Sequence, residues 1–270
     1  MKAVRSLSGL AAIAALTVLV SACTTTGDLE PPKNNLRETQ TDKQKASEIN
    51  KQLGTEYLRQ GNLALAKEKL ERAEKYNPRD AEVHSVLAVL YERLGITAMV
   101  DEQYREASRL APKDPQISNN YAVYLCRAGR TDEGVKRFLA SAQNPLYRTP
   151  ELAYTNAGVC LRRAKRYDDA TASFERALQI RANNAEAVFQ YSDMAIEQGN
   201  LAKAREQVEK YLQIYDATPD LLFTGVRLAR ALGDRVGEEK YTRRLRVEFP
   251  ASQQFRSLTE QSGAAKRNPG

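Results

Sequence analysis

The residues best suited to chemistry in this sequence are three cysteines and a single histidine. Cys126 and Cys160 could form a disulfide, whereas a catalytic thiolate or a zinc site would need imidazoles close by. His84 is the only histidine, so we expect it to pack in the interior. The acidic pairs 168–169 and 238–239 stand where helices are expected to begin, where they stabilise the helix dipole. These residues form no convergent catalytic set, so the sequence favours a binding protein over an enzyme.

The elements that position these residues follow from the glycines. Gly61, Gly95, Gly129, Gly199 and Gly233 are separated by 34, 34, 70 and 34 residues, which is the spacing of helix ends and not of a phosphate-binding loop. Lys165 stands where the long interval lacks a glycine, and it predicts a strained or lengthened turn. A period of 34 residues is typical of the tetratricopeptide repeat (TPR), a pair of antiparallel helices.

The sequence resembles the TPR family over residues 47–252. Large apolar residues recur at repeat positions 7, 11 and 24, as Leu87, Tyr91 and Tyr104 do in the second repeat, and small residues recur at positions 8, 20 and 27. The resemblance implies an all-α superhelical solenoid of helix-turn-helix units. Six repeats are expected, at 47–80, 81–114, 115–148, 151–184, 185–218 and 219–252. We expect a capping segment from residue 253 and a disordered tail over 262–270.

The N-terminus resembles a bacterial lipoprotein signal. Lys2 and Arg5 precede an apolar run over 10–20, and Val20-Ser21-Ala22-Cys23 follows. The resemblance implies that residues 1–22 are a signal peptide and that Cys23 is lipidated. A membrane span is the first alternative, but it needs about 20 apolar residues. The second is an ordinary signal peptide, which does not require a cysteine here.

The segment after the signal is expected to be a tether. Residues 23–46 are polar and rich in Thr, Pro, Gln and Lys, which predicts a lipid-anchored flexible linker. Residue 24 is Thr and not Asp, which by resemblance to lipoprotein sorting implies the outer membrane, facing the periplasm.

Lipidation of Cys23 would leave an even pair of cysteines. Cys126 and Cys160 fall on the first helices of neighbouring predicted repeats, so a disulfide between these repeats is one interpretation. Two separate thiols, one buried and one facing the groove, are the alternative.

The charge is modest for the length. The formal charge is +7, and removal of Lys2 and Arg5 with the signal peptide leaves +5. The surplus indicates either an ordinary solvated surface or a basic C-terminal half that meets an acidic partner or anionic lipid. No nucleic-acid motif, metal site, cofactor site or small-molecule site is recognisable, so we expect none of these ligands.

The first helices of TPR arrays line a groove, and this groove is the candidate binding site. Lys51 is present but Thr55 replaces the asparagine of the clamp that grips chaperone tails, so a cytosolic chaperone is not expected. The groove residues are mixed apolar and charged, which suits an extended or helical protein segment. An unused scaffold face is the alternative. The candidate partner-binding residues are Asn119, Asn120, Val123, Arg127, Thr155, Val159, Arg162 and Phe189.

Three stretches are similar to the PilF/PilW family of type IV pilus biogenesis lipoproteins. They are 119–126, beginning Asn-Asn-Tyr, 144–150, which contains Pro145 and Pro150, and 156–160. The family usually has glycine where this chain has Ala122. The resemblance implies a pilotin that binds a secretin subunit similar to PilQ, promotes its outer-membrane localisation and multimerisation, and contacts other pilus-assembly proteins. A general periplasmic TPR adaptor in envelope or outer-membrane protein assembly is the alternative.

Overall fold

The structure is a computed structural model that describes residues 39–267, and this part of the chain folds entirely into α-helices joined by short turns. The helices are α1 (Gln40–Arg59), α2 (Leu63–Tyr76), α3 (Ala81–Leu94), α4 (Thr97–Leu110), α5 (Pro115–Arg127), α6 (Thr131–Gln143), α7 (Pro150–Arg163), α8 (Tyr167–Ile180), α9 (Ala185–Glu197), α10 (Leu201–Ile214), α11 (Pro219–Leu232), α12 (Arg235–Glu248) and α13 (Gln253–Arg267).

The first twelve helices pair in chain order into hairpins, and each hairpin packs against the next. Helices α3, α5, α9 and α11 begin at the first residues of the predicted repeats, and α7 begins one residue early, at Pro150. Helix α13 packs on α11 and α12 and so covers the last hairpin. The fold is therefore the helical solenoid that the 34-residue period predicts.

Close approach of the two helices in a hairpin depends on small residues at position 8. At Gly158, a Cβ atom would lie 2.6 Å from Cε1 of Phe174, and at Gly54 it would lie 2.6 Å from Cγ of Leu70. Phe174 and Leu70 are fully buried at position 24 of the same repeats. The large side chain of the second helix thus occupies the space that the small residue of the first leaves open.

The turns within the hairpins confirm the interpretation of the glycine pattern. The five glycines that mark the repeat have φ values between 68° and 79°. Lys165, at the equivalent turn of the fourth hairpin, has φ of 59° and is the only described residue other than glycine with positive φ. A side chain in this left-handed region is strained, as the missing glycine predicts.

Both ends of the stack differ from the sequence-based boundaries. Helix α1 begins at Gln40, because Thr39 and Asp42 form a capping box there, so the linker does not extend to residue 46. Helix α13 continues to Arg267, so the tail is helical and not disordered over 262–267. The predictions for residues 1–38, including the signal peptide and Cys23, lie outside the described residues. None of the described helices has the length and apolar content needed to span a membrane.

Candidate protein-binding groove

Three valines form a row, one on the first helix of each of the second, third and fourth hairpins. Val89 on α3, Val123 on α5 and Val159 on α7 are all half-buried at repeat position 9. They contribute to two cavities of about 440 Å³ and 180 Å³. The cavities share Val123 and Arg127, so they form one continuous surface, which we call the groove. Its lining residues are Val89, Glu92, Arg93, Tyr104, Asn120, Val123, Cys126, Arg127, Phe138, Asn156, Val159, Cys160 and Arg163.

An arginine follows each of these valines by four residues, one helical turn along the same face. Arg93 Nη1 donates a hydrogen bond of 2.7 Å to the carbonyl of Leu58, and Arg127 Nη1 lies 3.0 Å from Glu92 Oε1. The Arg163 side chain is exposed and forms no hydrogen bond or ion pair with the residues that the structure describes. Because Glu92 is the only carboxylate in the lining, the groove is cationic beside its apolar floor.

The two remaining cysteines lie in the wall of the smaller cavity. Cys126 on α5 and Cys160 on α7 form a disulfide, with their Cα atoms 5.6 Å apart. Both residues are buried, so the bridge joins the third and fourth hairpins directly beneath the groove. Any change in the spacing of these hairpins would therefore change the width of the groove.

The structure places four of the eight predicted partner-binding residues in the groove. These are Asn120, Val123, Arg127 and Val159.

Two of the other predicted residues are not available to a partner, so their assignment is wrong. Asn119 is 7% exposed and accepts a hydrogen bond of 3.4 Å from Asn156 Nδ2 of the next repeat. Thr155 is 2% exposed; it donates to the Glu151 carbonyl and accepts from Asn184 Nδ2 at 3.0 Å. Both occupy repeat position 5, which faces the following hairpin and not the groove.

Arg162 belongs to a separate ion cluster at the junction of the fourth, fifth and sixth hairpins. Its Nη2 atom lies 2.6 Å from Asp193 Oδ2 and 2.5 Å from Glu197 Oε1, and Arg227 pairs with the other oxygen of Asp193. Burial lowers the pKa of Arg162, but hydrogen bonds to Glu197 and Asp193 outweigh it and raise the pKa above its usual value. Arg162 is therefore already neutralised within the chain.

The last predicted residue, Phe189, is not among the residues that line the groove, and neither is any residue of the loop 144–149 before α7. Phe189 is half-buried and packs against the core formed by Val188, Tyr211 and Leu221, outside the groove. In the loop, Leu146 is exposed and Tyr147 is buried.

Two groove residues would not be chosen from the repeat pattern. Tyr104 and Phe138 stand at position 24, whose pattern marks them as core residues, yet each also lines a cavity. They belong to second helices, and only the packed hairpin brings them to the floor of a groove built mainly from first helices.

His84 is buried, as the sequence predicts. Its Nδ1 atom lies 2.6 Å from Gln103 Oε1 and its Nε2 atom 2.9 Å from the carbonyl of Pro78. Over residues 39–260, no group of three or more His, Cys, Asp or Glu side chains could hold a metal ion. The imidazole therefore links α3 to α4 and to the turn that precedes α3.

Comparison with known proteins agrees with this architecture. One tetratricopeptide repeat model matches residues 51–98 and 135–185, and a second matches 161–222. The chain belongs to the tetratricopeptide repeat family. No curated protein matches the sequence.

Several solved structures resemble this TPR protein. PilF from Pseudomonas aeruginosa is 26% identical with a TM-score of 0.64, and the match covers 81% of this chain and 99% of PilF. PilW, a widely conserved type IV pilus biogenesis factor, is 28% identical with a TM-score of 0.67, covering 79% of this chain and 98% of PilW. MamA, at 15% identity and a TM-score of 0.51, covers 64% of this chain and 98% of its own and shows the fold alone. The chain is thus a TPR protein with a PilF/PilW-like structure.

Proposed function

We propose that this chain is a scaffold for type IV pilus biogenesis that acts by holding another protein. The supporting observation is the similarity to PilF and PilW, which extends over about four-fifths of this chain and almost all of theirs. PilW is a type IV pilus biogenesis factor. The TPR solenoid is an interaction scaffold, and its cationic, apolar groove suits a protein segment.

A more specific part of the proposal concerns where in the cell the protein lies and how it acts. The sequence around Cys23 is typical of a lipidated cysteine, and Thr24 is compatible with sorting to the outer membrane. We infer that the chain is anchored there by lipid, faces the periplasm and acts as a pilotin. It would bind a secretin subunit, bring it to the outer membrane and promote its multimerisation. No catalytic step is needed for this role.

A deletion strain tests the proposal. Secretin multimers that resist heat and detergent would be measured on gels, together with twitching motility. We expect both to be lost on deletion and restored by the wild-type gene. Normal multimers and normal twitching in the deletion strain would overturn the proposal. Such a result combined with defects in other envelope proteins would favour a general periplasmic adaptor.

A second strain tests the lipid anchor independently of the scaffold role. It carries Cys23→Ser, which removes the sulfur needed for lipidation, and labelled palmitate reports whether the wild-type chain is modified. We expect no label on the variant and secretin in the inner-membrane fraction. Equal labelling of both chains would refute a lipid on residue 23, while the scaffold role would still be testable through the groove.

A further inference from the structure

The groove combines an apolar row and a basic row that run side by side across three hairpins. The valine row consists of Val89, Val123 and Val159, and the arginine row consists of Arg93, Arg127 and Arg163. Each valine and its arginine are one helical turn apart on the same helix. A segment lying across the first helices would therefore meet an apolar contact and a cation in each hairpin.

The charge pattern ends sharply at the fifth hairpin. There Asp193 and Glu197 occupy the positions that hold valine and arginine in the three preceding hairpins. Their charges are neutralised by Arg162 and Arg227. The cationic groove thus extends over the second to fourth hairpins and stops at a charge-balanced ion cluster, which sets the length of the segment that it can accept.

The spacing of the rows selects a backbone conformation. Packed helices lie about 8–10 Å apart, so equivalent valines on neighbouring first helices are spaced by about that distance. A polyproline II segment has three residues per turn and a rise of about 3.1 Å, which places every third side chain on one face about 9 Å apart. Side chains on one face of a regular β-strand recur every two residues, about 7 Å apart, which does not match this spacing.

We propose that the groove binds an acidic, extended protein segment with an apolar side chain at every third residue and carboxylates beside them. The apolar side chains contact the valine row, and the carboxylates pair with the arginine row. This inference rests on the proposed function, because it names the chemistry of the partner that the same scaffold would hold. Arg163, which has no partner of its own among the described residues, is the arginine most available to a ligand.

Synthetic peptides test this proposal on the detergent-purified full chain by fluorescence anisotropy. The probe is a fluorescein-labelled peptide of four Leu-Glu-Pro repeats. One comparison peptide replaces Glu by Lys, one replaces Leu by Ser, and one has the same composition in scrambled order. We expect each comparison peptide to bind about tenfold more weakly, since each loses the ion pairs, the apolar contacts or the spacing. Binding of all four peptides with equal affinity would overturn the proposal.

Variants of the chain give a second readout. Arg163→Glu should weaken the Leu-Glu-Pro peptide about tenfold and strengthen the Leu-Lys-Pro peptide, because the charge of the site is reversed. Arg176→Glu is the matched control, since Arg176 is an exposed arginine on α8 outside the groove. Circular dichroism and urea midpoints verify that both variants fold. An unchanged peptide preference in Arg163→Glu would refute the assignment.

The two proposals fail in different ways. If deletion abolishes secretin multimers but the chain does not discriminate among the peptides, the inferred ligand is wrong and the pilus role stands. If the peptides are discriminated but deletion leaves multimers and twitching intact, the groove chemistry stands and the pilus role falls.

Discussion

Position 5 of each repeat illustrates how the role of one residue depends on its neighbour. Lys51, Ser85, Asn119 and Thr155 share this position in the first four repeats, and all are buried. Two of them contact the next repeat: Lys51 Nζ lies 2.7 Å from Glu82 Oε2, and Asn119 accepts from Asn156. Thr155 accepts from Asn184, the residue that caps the first helix of the next repeat. These polar contacts satisfy donors and acceptors that the stacking removes from water. Position 5 therefore holds adjacent hairpins in register, and positions 9 and 13 form the groove.

Asp101 provides a pH-dependent contribution to stability. Burial raises the pKa of Asp101, but hydrogen bonds from Tyr121 and Arg130 outweigh it and lower the pKa below the usual 3.8. A carboxylate with a depressed folded-state pKa stabilises the fold above its unfolded-state pKa. This contribution is lost as the pH falls below about 4 through the folded pKa.

Removal of the Tyr121 hydroxyl tests the contribution of Asp101. Tyr121→Phe deletes a hydrogen bond of 2.7 Å to Oδ1 of Asp101 and retains the stacked ring. We expect the variant to be less stable than the wild type at pH 7 and the two urea midpoints to converge below about pH 4. A difference between the midpoints that stays constant from pH 7 to pH 3 would contradict this assignment.

Lys165 is a site where a substitution should stabilise the chain. Its φ of 59° is costly for any residue with a Cβ atom, and the equivalent turns all use glycine. We expect Lys165→Gly to raise the free energy of unfolding by about 1 kcal/mol, measured by urea denaturation. Gly129→Ala is the reciprocal control and should lower it by a similar amount. Equal stability of Lys165→Gly and the wild type would mean that the turn is unstrained.

At the scale of elements, the first helix differs from every later first helix. Ile49 and Leu53 on α1 are 57% and 44% exposed, whereas the equivalent Val83 and Leu87 on α3 are fully buried. No described hairpin precedes α1, so the face that stacking covers elsewhere stays open. Helix α13 covers the corresponding surface at the other end, where Leu258 is buried.

A matched pair of substitutions measures what stacking contributes. Leu53→Ala and Leu87→Ala remove the same atoms from position 7 of the first and second repeats. We expect Leu87→Ala to cost about 2–5 kcal/mol, because it leaves a cavity, and Leu53→Ala to cost less than about 1 kcal/mol. Urea denaturation of both variants gives the comparison. If the two substitutions lowered the free energy of unfolding by similar amounts, the exposed face of α1 would have to be covered in solution.

At the scale of the whole molecule, the disulfide is the covalent link between hairpins. Cys126 and Cys160 close a loop with a sequence separation of 34 residues. We expect Cys126→Ser with Cys160→Ser to lower the free energy of unfolding by about 2–4 kcal/mol, because the unfolded chain regains the freedom of that loop. Thiol titration of the unfolded wild-type chain, without reductant, should find neither cysteine free. Two reactive thiols would instead support the separate-thiol interpretation.

The sequence by itself determined the repeating unit, the helical fold and the ends of most helices. Glycines at the turns, small residues at position 8 and large ones at position 24 act within a single hairpin, so their spacing is readable along the chain. Only the tertiary structure decided which side chains face the groove. Asn119 and Thr155 lie one helical turn before Val123 and Val159 on the same faces, yet the first pair is buried and the second is half-buried. How each hairpin rotates against the next decides which turn of the helix it covers. Tyr104 and Phe138 lie on second helices, and they reach the groove floor only because of the same packing between helices.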